Sequence, residues 1–504
     1  MTNSGHDKFF VLFLALLSSS FLFGQKIDTL KRVEILNQQQ HYKESLKLLD
    51  DYRHHHKNEL YGDWLHAHTI ALTGQFAKAQ QEYYALENRH PYNYDIKLDR
   101  INKVVEHGNI NKAIQQLKKI ELQLPKDYNF VAHKLMAQLF YWKGDYDNAY
   151  DEIQKALYLY FDEKSALQLK EKIVRARSNW ANIRLGFFND DQPLNIIAPD
   201  IEAGFYINSM TTVGAELSYP IYSFSDNTYS TPWLTAFSKF NFIEPKIGVK
   251  LGIGVIGYQS KDKALTGLLQ VKKQFSKYWS ASAGAELAPY LATTFAIPEK
   301  LMQTKYNLGV DYNNPKGFIG KASYSINQFP TLDNSYYTAS GWVVSPPLSL
   351  AGFELRAGYG INYSDAKKNN FTAIESLDTI VANWDSTYNI EGTYNPFFSP
   401  SNQLIHSAVG MIKYTINPDL NIGVDINYGF SAKTDTPYLF LDKKDNGETT
   451  IGRKYHKSNY NPLDINTFVN YNISDAFQLK AFYKFQRTSY YESNYVGIAS
   501  HFTF

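Results

Sequence analysis

Three consecutive histidines, His54, His55 and His56, form the densest run of metal-ligating side chains in the sequence. Neighbouring residues on a helix point about 100° apart, so the run does not converge on one ion and reads as a solvated helix end. His66 and His68 read as groove or surface residues. The chain has no Gly-rich phosphate loop ending in Lys and Ser/Thr, no His-Glu-x-x-His and no Gly-x-Ser-x-Gly. Its cysteine count is zero, which removes thiol catalysis, disulfides and Cys-ligated metals. The expectation is a protein that is not an enzyme and holds neither metal nor cofactor.

What remains is the chemistry of polar side chains placed at every second position. In NIGVDINYGF, residues 421 to 430, Ile422, Val424, Ile426, Tyr428 and Phe430 alternate with Asn421, Gly423, Asp425, Asn427 and Gly429. A period of two marks a strand. If the apolar parity of such strands faces lipid, then Glu202, Tyr206, Glu216, Lys250, Glu286, Asp311 and Lys321 face a lumen, as do Glu354, Arg356, Asp425, Lys480, Phe482 and Lys484. A Lys or Arg on the lipid side at mid-membrane would cost about 2 to 4 kcal/mol, so the parity points them inward. These groups make either a water-lined wall with internal ion pairs or a polar track, on which the rings of Tyr206 and Phe482 could stack on sugars. Both signs of charge are present.

The elements that must position these residues lie after Ser178. Sixteen candidate strands of roughly 9 to 13 residues fall between 179 and 504, among them 211–222, 352–363, 419–431 and 463–473. An even count, short turns on one side and the two longest connections, 364–402 and 432–462, on the other give an outer-membrane β-barrel over residues 178–504. A soluble sandwich also alternates, but aromatic residues near strand ends and the terminal aromatic favour a membrane barrel. Phe502 and Phe504 share the lipid-facing parity of the last strand, and a terminal aromatic there resembles the signal read by the barrel assembly machinery.

Residues 25–177 have a helical period and repeat. Gln40, Gly74, Gly108 and Gly144 open similar segments at intervals of 34, 34 and 36 residues, each followed by an apolar residue and then a small one, Ser45, Ala79, Ala113 or Ala149. Pro91 and Pro125 recur at the same 34-residue interval. Gly74, Gly108 and Gly144 suit tight inter-helix turns, and the small residues allow close helix approach. The period and its turn glycine resemble the tetratricopeptide repeat.

Residues 1–24 carry one Lys, a short apolar run and then Gly24, the layout of a cleaved signal peptide. With zero cysteines this points to a Gram-negative envelope, with the repeats in the periplasm and the barrel in the outer membrane. The net charge of +2 does not suggest a nucleic-acid partner.

Tetratricopeptide repeats followed by a sixteen-stranded barrel resemble the outer-membrane exopolysaccharide export porins of cellulose and poly-N-acetylglucosamine secretion. GTYNPFFSP, residues 392 to 400, is similar to that family's Gly-Tyr-Phe-Ser-Pro segment, with Asn395 and Pro396 interposed. The resemblance implies a channel exporting a polysaccharide, with the repeats recruiting polymer or synthase partners from the periplasm or inner membrane. A scaffold or assembly protein with a closed barrel, and a barrel enzyme acting on lipid, are the other expectations to be weighed.

Overall fold

The computed structural model describes residues 28–224, 227–385, 388–443 and 448–504. The expected leader, 1–24, lies outside the described residues. The chain forms two compact units: one holds 28–142 and 148–170, the other 143–147 and 171–504.

Nine helices precede the first strand among the described residues: α1 Thr29–Gln38, α2 Tyr42–His55, α3 Leu60–Leu72, α4 Phe76–Arg89, α5 Tyr94–Glu106, α6 Ile110–Ile120, α7 Lys126–Lys143, α8 Tyr146–Leu159 and α9 Lys164–Ala176. Gly74, Gly108 and Gly144 take φ of 83°, 85° and 84°, the left-handed conformation that ends one helix and turns into the next. Gln40, at the matching place in the first repeat, takes φ 64° without a glycine's freedom. Ser45, Ala79, Ala113 and Ala149 are fully buried, as close helix packing requires. The repeats are further clasped by Tyr128, whose hydroxyl donates to Asp95 at 3.0 Å, and by Tyr160, which donates to Asp127.

The second unit is a closed antiparallel ring of sixteen strands: β1 Trp180–Asp190, β2 Asn195–Asn208, β3 Thr211–Ser218, β4 Trp233–Phe242, β5 Ile247–Gly257, β6 Lys263–Gln274, β7 Trp279–Pro289 and β8 Met302–Asn313, then β9 Ile319–Phe329, β10 Asn334–Val344, β11 Phe353–Ala366, β12 Gln403–Asn417, β13 Leu420–Lys443, β14 Leu463–Ser474, β15 Phe477–Arg487 and β16 Glu492–Thr503. Each pairs with the next, and β16 closes on β1 from Trp180↔Thr503 to Asp190↔Ser493. Closure leaves no strand edge inside the ring. Helical repeats followed by a sixteen-strand barrel is the order that the export-porin resemblance implies.

Two expectations on the long-connection side are corrected. The strand expected over 211–222 stops at Ser218; after Tyr219 and Pro220, residues 221–224 and 227–230 form a separate hairpin. Residues 432–462 are not an irregular loop. β13 continues to Lys443 and pairs there with Thr449–Tyr460, so a hairpin extends the wall beyond β14. The divergence follows an irregularity at His406/Ser407, where Phe430 is left without a partner on β12.

Side chains sort by parity. Ile183, Leu185, Leu251, Ile253, Leu308, Ile422, Val469, Val496 and Ile498 are all exposed on the outside of the ring. A continuous exposed apolar exterior is untenable in water at this size and fits hydrocarbon. The molecule is an outer-membrane β-barrel carrying an N-terminal set of helical repeats.

Candidate functional site

The other parity lines the inside, and all thirteen residues expected there lie on it. Their surroundings differ. Glu202 receives Lys250 at 3.3 Å, Lys239 at 3.5 Å and the Asn182 amide at 3.2 Å. Asp311 and Lys321 are cross-strand partners 3.9 Å apart. Glu216 is opposite Glu202 in register, Glu286 opposite Lys305.

Two expected lumen groups have other duties. Arg356 is 7% exposed; its guanidinium donates to the carbonyls of Pro315 at 2.5 Å, Gly317 at 2.8 Å and Ser345 at 3.0 Å, and its Nε reaches Glu354 at 3.1 Å. It ties two short turns together and is not a free wall group. Tyr206 sits by the turn after β2, where its hydroxyl lies 2.9 Å from Asp147 and 3.2 Å from Ser209. It serves as an anchor, not as an open stacking face.

The most regular part of the inner wall runs across β13 to β16. Register aligns Asn421, Asn470 and Lys480 in one row; Gly423, Phe468, Phe482 and Gly497 in the next; then Asp425, Asn466, Lys484 and Tyr495; and last Asn427, Asp464, Gln486 and Ser493. Rows two residues apart are spaced by about 7 Å. Within them the Asn470 amide donates to Asn421 at 3.0 Å, Asn466 to Asp425 at 3.2 Å and Asn427 to Asp464 at 3.1 Å. Polar rows thus flank an aromatic one, the mix of apolar faces and placed polar groups that ligand sites use.

Glycines explain how rings fit inside the ring of strands. Trp180 is opposite Gly204, Phe237 opposite Gly214, Phe468 opposite Gly423 and Phe482 opposite Gly497. A Cβ on any of these glycines would come within 2.5 Å of the facing ring. Each ring therefore lies against its neighbour strand, in the space a side chain there would fill. Trp180, Phe237, Phe468 and Tyr495 were missed by sequence reasoning. For the first three the signal is a Gly on one strand matched to an aromatic on the next, which becomes visible only once register is known.

The third and fourth rows of this wall border a cavity of about 1030 Å³, lined among others by Trp233, Trp342, Asp425, Asn427, Asp464 and Lys484. The loop end of the barrel is filled. Leu291 and Ile297, from the connection between β7 and β8, pack with Leu194 and Tyr222 near β1 and β2, while Ala296 and Leu301 of that connection pack with Phe329 of β9 and with Phe397. β1 and β9 stand on opposite sides of the ring, so this connection crosses the mouth. The GTYNPFFSP segment completes the closure. Phe397 is fully buried and stacks on Phe329 at 3.8 Å, Phe398 stacks on Tyr490 at 5.6 Å, and the Pro396 carbonyl accepts from Thr293 at 2.5 Å. Residues 388–398 thus stay out of the ring as expected, with Gly392–Tyr394 forming a small sheet with Phe371–Ala373. Where this strap leaves β11, Lys367 and Lys368 grip Asp333 at 2.7 and 2.8 Å; their hydrogen bonds hold its carboxyl at about 2.

In the helical unit, His55 and His56 each bond a carbonyl one turn back, and the His54–His56 run is exposed. His66, expected in a groove or on the surface, is instead buried, bonded to Glu82 at 2.6 Å and Asp50 at 3.1 Å. Sequence reasoning missed the partners because they come from neighbouring helices. His68 is partly exposed and meets Asp99 at 3.2 Å. Glu121, His133 and Glu152 bring possible metal ligands within 4.8 Å of one another. Glu152 is already satisfied by His133 at 2.6 Å and Lys155 at 2.8 Å. Burial would raise its carboxyl, but these bonds outweigh it and hold the pKa low. An ammonium in contact with the central ligand makes the cluster an ion-pair network.

At the end of the chain, Phe502 stacks on Phe477 at 4.5 Å, and Phe504 is 64% exposed with its N–H on the Asn179 carbonyl. Both side chains lie on the outer parity.

No protein-family model matches the sequence, and no curated protein matches it. Among solved structures, the chain is similar to a bacterial polysaccharide outer membrane secretin, at 9% identity and a TM-score of 0.47, over 65% of this chain and 99% of that one. It is also similar to CdiB from Acinetobacter baumannii, at 12% identity and a TM-score of 0.37, over 65% and 60%. A tetratricopeptide repeat protein from Parabacteroides merdae ATCC 43184 matches at 14% identity and a TM-score of 0.25, over 29% and 56%.

Proposed function

We propose that the barrel is an outer-membrane channel that exports a polysaccharide, with the helical repeats in the periplasm recruiting the polymer or its synthase partners. The observation that carries this reading is the inner wall of β13 to β16, where a row of two phenylalanine rings lies between rows of amide, carboxylate and ammonium groups. Export needs no covalent step, and the reading invokes no catalytic group, metal or cofactor. The outward Phe502 and Phe504 suit handling by the barrel assembly machinery before insertion into lipid. In a strain lacking the gene, polymer should accumulate in the periplasm and vanish from the cell surface; normal surface polymer in that strain would end the proposal.

The packed loop end favours a second reading, in which the barrel is a closed anchor and the repeats scaffold an envelope complex. The two part on whether the strap over the mouth can leave it, which conductance reads directly.

A further inference from the structure

Charge on the inner wall is sorted along the barrel axis. At inward positions within four residues of the short-turn end, cations dominate. Arg184, Lys239, Lys250, Lys321 and Arg356 each meet a carboxylate there, namely Asp200 at 3.4 Å, Glu202 at 3.5 and 3.3 Å, Asp311 at 3.9 Å and Glu354 at 3.1 Å. Three more cations share this level: Lys272 on β6, Lys413 on β12 and Lys480 on β15. Their inward parity follows from the exposed outer rows Leu265 and Leu269, Ile412 and Tyr414, and Tyr483. No carboxylate of the described residues lies within ion-pairing distance of these three. Lys480 rests over the Phe468 ring at 5.3 Å, which leaves its charge uncompensated. Asp311 and Glu354 share this level by strand position, Asp200 stands opposite Arg184 in register, and Glu202 reaches the two lysines from further along β2.

Towards the loop end the balance reverses. Glu216, Glu286, Asp425 and Asp464 face the lumen beyond the fourth residue, against Lys305 and Lys484. A ring of like charge inside low-dielectric walls focuses potential at the mouth it lines, and rings of Lys and Arg select anions. A layer of the opposite sign beyond it keeps an anionic chain from binding too tightly to leave, which conduction requires.

Resting on the export reading above, we infer that the exported polymer is an acidic polysaccharide, whose anionic groups are drawn into the barrel by the ammonium collar at its short-turn mouth. Lys272 and Lys480 lead the selection, having no carboxylate opposite them in register, and Lys413 adds to it, since the Glu354 that it faces has its carboxylate on Arg356.

The test uses the full-length protein in detergent, titrated with three fluorescent oligosaccharides: an oligogalacturonate, a cello-oligosaccharide and a chitosan oligosaccharide. The oligogalacturonate should bind at least about tenfold more tightly than the other two and weaken as salt is raised. In the triple variant Lys272→Glu, Lys413→Glu and Lys480→Glu it should lose about tenfold or more in affinity, with heat-modifiable gel mobility confirming that the barrel still folds. Equal or tighter binding of the neutral or the cationic probe overturns the inference and leaves export standing. So does a folded triple variant with unchanged oligogalacturonate affinity. If none of the three probes binds, the inference falls and the export reading falls with it.

Discussion

Asp99 gathers three donors on one carboxylate oxygen: Trp64 Nε1 at 2.7 Å, His68 Nδ1 at 3.2 Å and the Tyr83 hydroxyl at 2.5 Å. It thereby ties α3 and α4 to α5. Burial by itself would raise the carboxyl's pKa, but the bonds from His68, Tyr83 and Trp64 outweigh it and hold the pKa below the ordinary value. The stabilisation is therefore complete above the unfolded value of about 3.9 and is lost as pH falls through the lower folded one. Asp99→Ala, which leaves the buried Tyr83 hydroxyl and the Trp64 N–H without this partner, should cost about 2 to 3 kcal/mol. Thermal melts of the helical circular-dichroism signal in the full chain check this. Wild type should weaken below about pH 4, while the variant should start lower and respond less to acid. At this scale the sequence is uneven evidence. The turn glycines were legible because left-handed φ demands a residue type at a fixed spacing, whereas Asp99 looks like any helix carboxylate until three helices converge on it.

At the scale of elements, the strap between β11 and β12 decides between channel and anchor. Its core is shared with the projecting hairpin: Ile380 and Ile390 pack with Leu439, and Arg453 of the hairpin donates to the Asn369 carbonyl at 2.6 Å. The strap's hold on the barrel itself is concentrated at Phe397 and its ring partners Phe329, Tyr290 and Tyr336. Placing a charge in that cluster should expel the strap, since an unpaired buried carboxylate costs several kcal/mol. In planar bilayers, wild type should be predominantly closed and Phe397→Asp should open frequently, with barrel heat-modifiability unchanged. A Phe397→Asp variant as silent as wild type would favour the anchor. None of this closure was legible beforehand. The alternating period fixes where strands run, but 364–402 has no period, and its buried aromatics can be recognised only by what they pack against.

At the scale of the whole molecule, the sixteen strands were legible because each repeats one physical rule, apolar out and polar in, many times over. β13 shows where the rule stops being sufficient: the alternation marks its wall-forming part, and the extension to Lys443 outlasts it. The inner wall was legible as a face but not as rows, since register is set by turns and pairing and not by any single strand. Everything proposed here depends on which row meets lipid. The absence of cysteine in the chain makes that directly measurable with single cysteines introduced in lipid-reconstituted protein. Cysteines replacing Asn421, Asp425, Asn470 or Lys484 should react with a water-soluble maleimide. Cysteines replacing Ile422, Val424, Val469 or Tyr483 should resist it and, once labelled in denaturant and refolded, be quenched by brominated lipid. Reaction of both rows with the maleimide, or quenching of the Asn421 row, would contradict the account.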